Sequence, residues 1–329
     1  MKSMKNIAFA LAALAGTQLA FAQSAPKLTA IVQASSTAKP TQLVLERGDG
    51  KGAFFYMPKG TDQLMQAQAS RCSMFVIMTP ADMAGALREY YGGDYAQARA
   101  GFAKIKKKYA DFAGLPGSPC TLAAMYEIVC AVRLLDVEGV KKLADDVPGE
   151  KALNISDQAR LAAARIFALI DDTPESYKAI AEARANLIKT YGRNLDSEAY
   201  GWVQYALGRA AAATMAVAQD KAKSASAAVD FYSQAAMSMH GAQKQLPADA
   251  LNRAMNLLWN QPGVQEYAAK APKPMDKRVW NAAPADFRDA VAMAHYYKSM
   301  FGDSVAANQL ADQLDAYYFN ALKGVKKEK

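Results

Sequence analysis

The chain has 329 residues, of which 52% are hydrophobic and 21% are charged. These fractions are close to average globular usage and exclude a largely disordered chain. The formal net charge is +8, which indicates attraction to an anionic surface or to nucleic acid. The alternative is that these cations are solvated ends of structure, such as Lys106-Lys107-Lys108 and a basic tail over 323–329.

Residues 1–22 have the features of a secretory signal peptide. Lys2 and Lys5 precede a short apolar core, and Ala20-Phe21-Ala22 matches a small-residue cleavage site before Gln23. The apolar run is shorter than the roughly 20 residues that a membrane-spanning helix needs, and no later segment is a better candidate. The sequence therefore predicts a periplasmic or secreted chain, cleaved after Ala22, without a transmembrane segment. For an exported chain an anionic envelope surface is a candidate partner, and nucleic acid is not expected.

Residues 23–79 differ in character from the rest of the chain. They contain four short runs rich in β-branched or aromatic residues, at 28–32, 42–46, 53–57 and 73–78. Gly48-Asp49-Gly50-Lys51-Gly52 predicts a hairpin turn with positive φ angles. It does not fit a phosphate-binding loop, because no helix follows and no Lys-Ser/Thr pair ends it. We expect a small β module of three or four strands.

From residue 80 to residue 322 the pattern is helical. Helices are predicted at 82–92, 94–110, 118–135, 137–146, 156–171, 174–191, 197–218, 223–240, 247–260, 284–301 and 303–321. The connections between them are short, which predicts antiparallel hairpins. The segment 262–283 contains Lys270-Ala271-Pro272-Lys273-Pro274 and is expected to be irregular.

One spacing of small and bulky residues recurs in these hairpins. In the first, Gly93-Asp94 is followed by a small residue at the expected helix crossing and then by two bulky positions. In the last hairpin, the corresponding residues lie at the same offsets after Gly302-Asp303. A third set of small, bulky and small residues comes after Leu207-Gly208. The residues concerned are Ala98, Phe102 and Ile105; Ala307, Ala311 and Leu314; and Ala228, Tyr232 and Ala235.

This pattern resembles the tetratricopeptide-repeat family, over roughly residues 80–320. The resemblance implies a mainly α fold, an antiparallel helix-hairpin superhelix in which stacked pairs form a partner-binding groove. The family's signature Trp and closing Pro are missing from the first hairpin, and 118–147 and 156–191 fit poorly, so degenerate repeats are expected. A single all-α bundle is the alternative.

Three cysteines, Cys72, Cys120 and Cys130, are expected in an oxidising compartment. Cys120 and Cys130 fall on one predicted helix, where ten residues rise about 15 Å. That separation exceeds the Cα distance of about 7 Å that a disulfide allows. Only Cys72 could bridge, to either of the other two. The alternative is three buried free thiols.

The sequence offers no recognisable catalytic or metal-binding motif. Its two histidines, His240 and His295, have no second ligand at metal spacing. The acid pairs Asp145-Asp146 and Asp171-Asp172 precede turns and fit solvated loop residues better than a glycosidase pair. No cofactor, metal or catalytic residue is therefore expected.

The remaining candidate for a functional site is a partner-binding surface. In tetratricopeptide-like arrays the first helix of each pair lines the groove, and Tyr, Trp and Arg are enriched at interfaces. The alternative is that most of these side chains belong to the inter-helix core. Counting from the turns gives the groove candidates Leu87, Tyr90, Tyr91, Trp202, Tyr205, Arg209, Tyr296 and Met300.

The function predicted from the sequence is an exported scaffold that binds a protein or peptide of the cell envelope. The alternative is an envelope protein that binds glycan or peptidoglycan through the aromatic groove or the β module. An enzyme with an unrecognised site is a third class. The partner's identity and the oligomeric state do not follow from these residues.

Overall fold

The structure is a computed structural model that describes residues 26–239, 244–302 and 307–318. The predicted signal peptide, His240 and the basic tail lie outside these ranges. Within them, five strands precede thirteen α-helices. The chain is mainly helical with a small N-terminal antiparallel sheet, which confirms the predicted fold class.

The sheet has the strand order β4-β3-β2-β1-β5, and every neighbouring pair is antiparallel. Along β1, Leu28, Ala30 and Val32 point into the core while the residues between them are half-buried. The predicted hairpin joins β2 to β3, and Gly50 and Gly52 have φ of 71° and 109°. The strands are β1 Leu28–Gln33, β2 Thr41–Gly48, β3 Ala53–Tyr56, β4 Met65–Gln68 and β5 Met74–Ile77.

The sheet therefore has five strands where the sequence predicts three or four. The missed strand is β4, whose sequence Met65-Gln66-Ala67-Gln68 has no β-branched or aromatic residue. It forms because β3 pairs with it along the whole of β3, from Ala53 to Tyr56. Tertiary pairing has overridden a low strand propensity.

Nearly all predicted helices are present, with ends shifted by a few residues. Two short helices, α10 and α11, occupy the segment 262–283 that was expected to be irregular. The last predicted helix, 303–321, lies partly outside the described residues, and within 307–318 the helix covers Gln309–Asp315. The helices are α1 Ala81–Gly92, α2 Tyr95–Lys108, α3 Pro119–Arg133, α4 Val137–Ala144, α5 Ile155–Phe167, α6 Ser176–Tyr191, α7 Ser197–Thr214, α8 Lys221–Ser238, α9 Gln245–Trp259, α10 Val264–Lys270, α11 Lys277–Ala282, α12 Ala285–Phe301 and α13 Gln309–Asp315.

None of the helices in the described part of the chain combines the length and the apolar composition that crossing a membrane requires.

Polar side chains fix the beginnings of the helices that carry the candidate site. The Asp94 carboxylate accepts the Gln97 N–H at 3.1 Å and begins α2, directly after Gly93 ends α1 with φ of 87°. Asp196 caps α7 in the same way, accepting the Ala199 N–H at 2.7 Å. Such caps satisfy backbone donors that the first helical turn leaves unpaired. The predicted Gly93-Asp94 turn is confirmed.

Consecutive helices from α1 to α9 pack against one another, as expected of helical hairpins. Helices two apart also touch, since α3 packs on α5 and α5 packs on α7. Beyond α9 this order changes, because α9 packs against α12, which in turn packs against α13. Helix α9 is therefore covered on one side by α8 and on another by α12, and it also contacts α10 and α13.

Small residues allow these helices to approach closely. A Cβ on Gly208 of α7 would lie 2.7 Å from the Tyr232 ring of α8, and one on Gly201 would lie 2.7 Å from Met239. In the first hairpin, Ala98 is completely buried, and a Cβ on Gly101 would lie 3.0 Å from that of Ala86. The predicted pairing of a small residue with a bulky one is thus visible at the contact of α7 and α8.

The sheet and the helices share one hydrophobic core, to which Leu45 and Phe54 of the sheet contribute. The β2–β3 turn also docks on the loop after α2. The Gly50 N–H donates to the Asp111 carbonyl at 2.9 Å, and a Cβ on Gly114 would lie 2.6 Å from the Gly50 oxygen. These backbone contacts leave no room for a side chain at Gly114.

All three cysteines are free thiols. Cys120 and Cys130 both lie on α3, as predicted, and burial raises their pKa to about 11 and about 12. Thiols with raised pKa in apolar surroundings react slowly. Cys72 is half-buried at the sheet and pairs with neither of them.

We expect Ala98→Leu to destabilise the protein by about 1–3 kcal/mol, because the added atoms overpack a completely buried position. Ala100→Leu makes the same change on the exposed face of α2 and is expected to leave the free energy of unfolding nearly unchanged. Urea unfolding of both variants checks this. Equal stability of the Ala98 and Ala100 variants would contradict the assigned packing.

A second pair of variants is expected to shift stability in opposite directions. Gly208→Ala places a methyl group against the Tyr232 ring and should cost about 1–3 kcal/mol through overpacking. Gly85→Ala, in the exposed middle of α1 with no atom near the new Cβ, should gain about 0.5–1 kcal/mol through helix propensity. Thermal unfolding followed by circular dichroism measures both, and a gain for Gly208→Ala would refute the close contact.

Candidate functional site

Three cavities that share lining residues lie along α9. A cleft of about 620 Å³ at its N-terminal end and a cavity of about 880 Å³ share Gln245. That cavity and a third of about 380 Å³ share Asp249, Asn252 and Asn256. Helix α9 has 15 residues, so it is about 22 Å long. We call the whole feature the α9 groove and its first part the aromatic cleft.

Four tyrosines form the walls of the aromatic cleft. Tyr90 is buried, and its ring meets the edges of Tyr91 and Tyr126 at centroid distances of 5.3 and 5.0 Å. Tyr95 lies at the start of α2, 5.9 Å from Tyr90. Tyr91 is 75% exposed at the mouth of the cleft. The cleft thus combines a packed aromatic wall with one ring that is free to contact a partner.

A buried arginine lies at the base of this wall. Arg133 is 5% exposed, and its guanidinium carbon lies 4.4 Å from the Tyr90 ring and 5.0 Å from the Tyr95 ring. Its Nε and Nη2 donate to the two carboxylate oxygens of Glu198, both at 3.0 Å. Burial acts to lower the pKa of Arg133, but the bond to Glu198 outweighs it and the pKa is raised. Arg133 is therefore a fixed positive charge.

A second arginine and a lysine make the cleft positive. Arg160 lies 2.8 Å from Asp196 and 3.7 Å from Glu198, with its side chain 27% exposed. Lys244 lies at the rim. Among the described residues that line the cleft, three are cations and one, Glu198, is an anion. The excess favours a ligand that carries negative charge.

Two phenols of the cleft, those of Tyr90 and Tyr126, are neutral at physiological pH. Burial raises the pKa of Tyr126 to about 12 and raises that of Tyr90 as well. Neutral phenols donate and accept hydrogen bonds, so the walls present aromatic faces and O–H groups beside two guanidiniums. These groups suit the binding of a carboxylate that has an apolar or aromatic neighbour.

Further along the groove the charges are neutralised and amides follow. Asp249 accepts the Tyr205 O–H at 2.5 Å and the Arg253 Nε–H at 2.6 Å. Asn252 and Asn256 of α9 and Asn260 directly after it then follow one another at four-residue intervals, and all three line the groove. The groove therefore changes from charged and aromatic at one end to uncharged and polar at the other.

Two of the predicted groove residues, Tyr90 and Tyr91, line the aromatic cleft. The prediction that Trp202 and Tyr205 line a groove is wrong, because both side chains are completely buried. Their helix α7 is enclosed by α5, α6 and α8, so aromatic residues at helical spacing fill the core. Trp202 lies 5.9 Å from the Arg160 guanidinium, and Tyr205 positions Asp249.

The other four candidates do not line the groove. Arg209 pairs with Asp172 through a two-point ion pair that joins α7 to the turn before α6. Leu87 is partly buried against the core, as is Tyr296. Met300 is 45% exposed on α12 but lies outside the residues that line the groove.

Sequence reasoning missed Arg133, Arg160 and Glu198. A signal for Arg133 was present, because it ends a largely apolar helix, and a charge that is buried with such a helix needs a partner. The partner lies 65 residues away and cannot be read from local spacing. The amides were also missed, although their four-residue spacing on one helix face is visible in the sequence.

No metal-binding cluster occurs among the described residues. His295 stacks on Tyr318 at 3.6 Å, and its Nδ1 lies 2.9 Å from Asp315, so it fastens α13 to α12. Two of the three cations at the end of α2 are also paired, Lys106 with Glu127 at 2.6 Å and Lys108 with Asp82 at 2.8 Å.

Comparison with known proteins gives no relative: the chain matches no family model, no curated protein and no solved structure.

We expect Glu198→Ala to destabilise the protein by about 3–5 kcal/mol, because it leaves the buried Arg133 charge without its carboxylate partner. The matched control is Glu182→Ala, which removes an exposed carboxylate 3.9 Å from Lys178 and should cost less than about 1 kcal/mol. Chemical unfolding measures both variants. Equal small losses would show that Arg133 is not held as described.

Proposed function

We propose that the protein is a binding protein of the cell envelope whose tetratricopeptide-like helical array presents the α9 groove to a protein partner. The observation that carries the proposal is the aromatic cleft. It holds a buried, fixed Arg133 beside an exposed Tyr91. Tyrosine and arginine are the residues that contribute most to protein interfaces.

The charge of the cleft narrows the class of partner. Arg160 and Lys244 are partly or fully exposed, and the lining has more cations than anions. A partner segment with a carboxylate next to an aromatic or apolar residue complements both features. The signal-like segment at 1–22 supports export, so the partner that we propose is one of the envelope or of the cell exterior.

The groove also has the character of a recognition surface. The guanidiniums are oriented by Glu198 and Asp196 before any partner arrives. A site with fixed side chains loses less entropy on binding. The pKa values of the Tyr90 and Tyr126 phenols are raised and the carboxylates are engaged by arginines, which favours binding over proton transfer at this site.

The proposal is tested with a random peptide library displayed on phage and selected on the purified, folded chain. Enriched peptides should contain an acidic residue beside an aromatic or apolar one. Tyr91→Ala should weaken their binding by about 2 kcal/mol, and Arg160→Gln should weaken it as well, as measured by titration calorimetry. Val217→Ala, at a residue that is 72% exposed outside the groove, is the matched control and should change nothing.

Two outcomes would contradict the proposal. One is a selection that enriches no peptide. The other is retention of purified peptidoglycan that is lost in Tyr91→Ala, which would assign the cleft to a glycan. Circular dichroism of each variant must match that of the wild type for either result to count.

A further inference from the structure

The groove beyond the aromatic cleft contains an ordered chain of amide hydrogen bonds. Asn308 caps α13, and its Oδ1 accepts the Ala311 N–H at 3.1 Å. Its Nδ2 is thereby directed to Asn252, where it donates to Oδ1 at 2.8 Å. The helix cap therefore fixes the orientation of the Asn308 amide, and the Asn308 amide in turn orients the amide of Asn252.

The chain of bonds continues along α9. The Asn256 Nδ2 donates to the Asn252 Oδ1 at 3.0 Å and to the Asn252 carbonyl at 2.7 Å. The Asn252 Oδ1 thus accepts two hydrogen bonds, while its Nδ2 has no partner among the described residues. The Asn256 Oδ1 likewise has none. The groove therefore presents a donor at Asn252 and an acceptor at Asn256, both held in place.

Asn260 extends this arrangement. Its Oδ1 accepts from Gln265 at 3.3 Å, which leaves its Nδ2 without a partner in the described part of the chain. Donor, acceptor and donor thus follow one another at Asn252, Asn256 and Asn260. Four residues of an α-helix rise about 6 Å, and two residues of an extended peptide span about 6.6 Å. The spacing of the asparagines along the helix therefore nearly matches the two-residue repeat of an extended peptide.

From this geometry we infer that the partner is bound as an extended peptide whose main-chain groups form hydrogen bonds with the side-chain amides of Asn252 and Asn256. An extended main chain offers N–H and C=O groups along its edge, which complement a fixed donor and acceptor. The inference rests on the proposed function and names its ligand: an extended segment whose acidic side chain lies at Arg133 and Arg160. The uncharged side-chain amides of the asparagines suit the neutral peptide groups that follow this acidic residue in the ligand.

The test uses the tightest peptide from the phage selection and titration calorimetry on the full chain. Asn252→Leu and Asn256→Leu keep the approximate volume and remove the donor and the acceptor. Each should weaken binding about tenfold, which is the net contribution of one hydrogen bond. Asn281→Leu, on the exposed surface of α11 outside the groove, is the matched control and should leave the affinity unchanged.

A second arm changes the peptide instead of the protein. N-methylation of single backbone amides removes one donor at a time. It should weaken binding at the one residue whose N–H donates to the Asn256 Oδ1, whereas alanine substitution of the side chain at that residue should have little effect. This arm needs no protein variant, so it stands even if an asparagine variant fails to fold.

The outcomes separate the inference from the function on which it rests. Suppose that Tyr91→Ala loses binding but Asn252→Leu, Asn256→Leu and N-methylation have no effect. This result would overturn the hydrogen bonding to the peptide main chain and leave the binding function intact. A tight peptide that is insensitive to Tyr91→Ala as well would overturn both.

Discussion

The burial of Arg133 is the interaction on which the candidate site depends. A guanidinium removed from water costs several kcal/mol unless its charge and donors are satisfied. Here Tyr90 and Tyr95 cover it, and Glu198 takes two of its hydrogen bonds. Because these residues come from α1, α2 and α7 while Arg133 ends α3, one charge fixes the relative positions of four helices. The walls of the aromatic cleft follow from that arrangement.

The α9 groove combines two chemically different parts. At its beginning, Gln245 borders a positive, aromatic cleft that suits a charged anchor residue. Toward its end, the neutral amides suit backbone groups and carry no preference for side chains. The pair of Asp249 and Arg253 separates the two parts and cancels the charge between them. A long-range electrostatic attraction and a short-range geometric match can thus act on the same ligand.

The sequence predicts the architecture well because its signals are local. Helical periodicity, the Gly93-Asp94 turn and the glycines of the β2–β3 hairpin each determine structure within a few residues. Strand β4 was missed because its Met, Gln and Ala residues have low strand propensity and gain their structure from pairing. Helices α10 and α11 were missed because they are short and lie near prolines, where local signals favour irregular structure.

The site was harder to predict than the fold, for a physical reason. Trp202 and Tyr205 have the residue types of an interface, but their burial depends on which helices surround α7. Arg133 and Glu198 lie 65 residues apart in the chain, and only the folded packing brings them together. Tyr90 and Tyr91 both line the aromatic cleft, and they lie next to each other just before the Gly93-Asp94 turn, which is a local feature of the sequence.

The most direct test of the account is a crystal structure of the protein with a tightly bound, selected peptide. The account predicts an extended chain along α9, with an acidic side chain within hydrogen-bond distance of Arg160 and main-chain atoms bonded to Asn252 and Asn256. A peptide bound as a helix, or bound away from α9 on the outer face of the sheet, would contradict it.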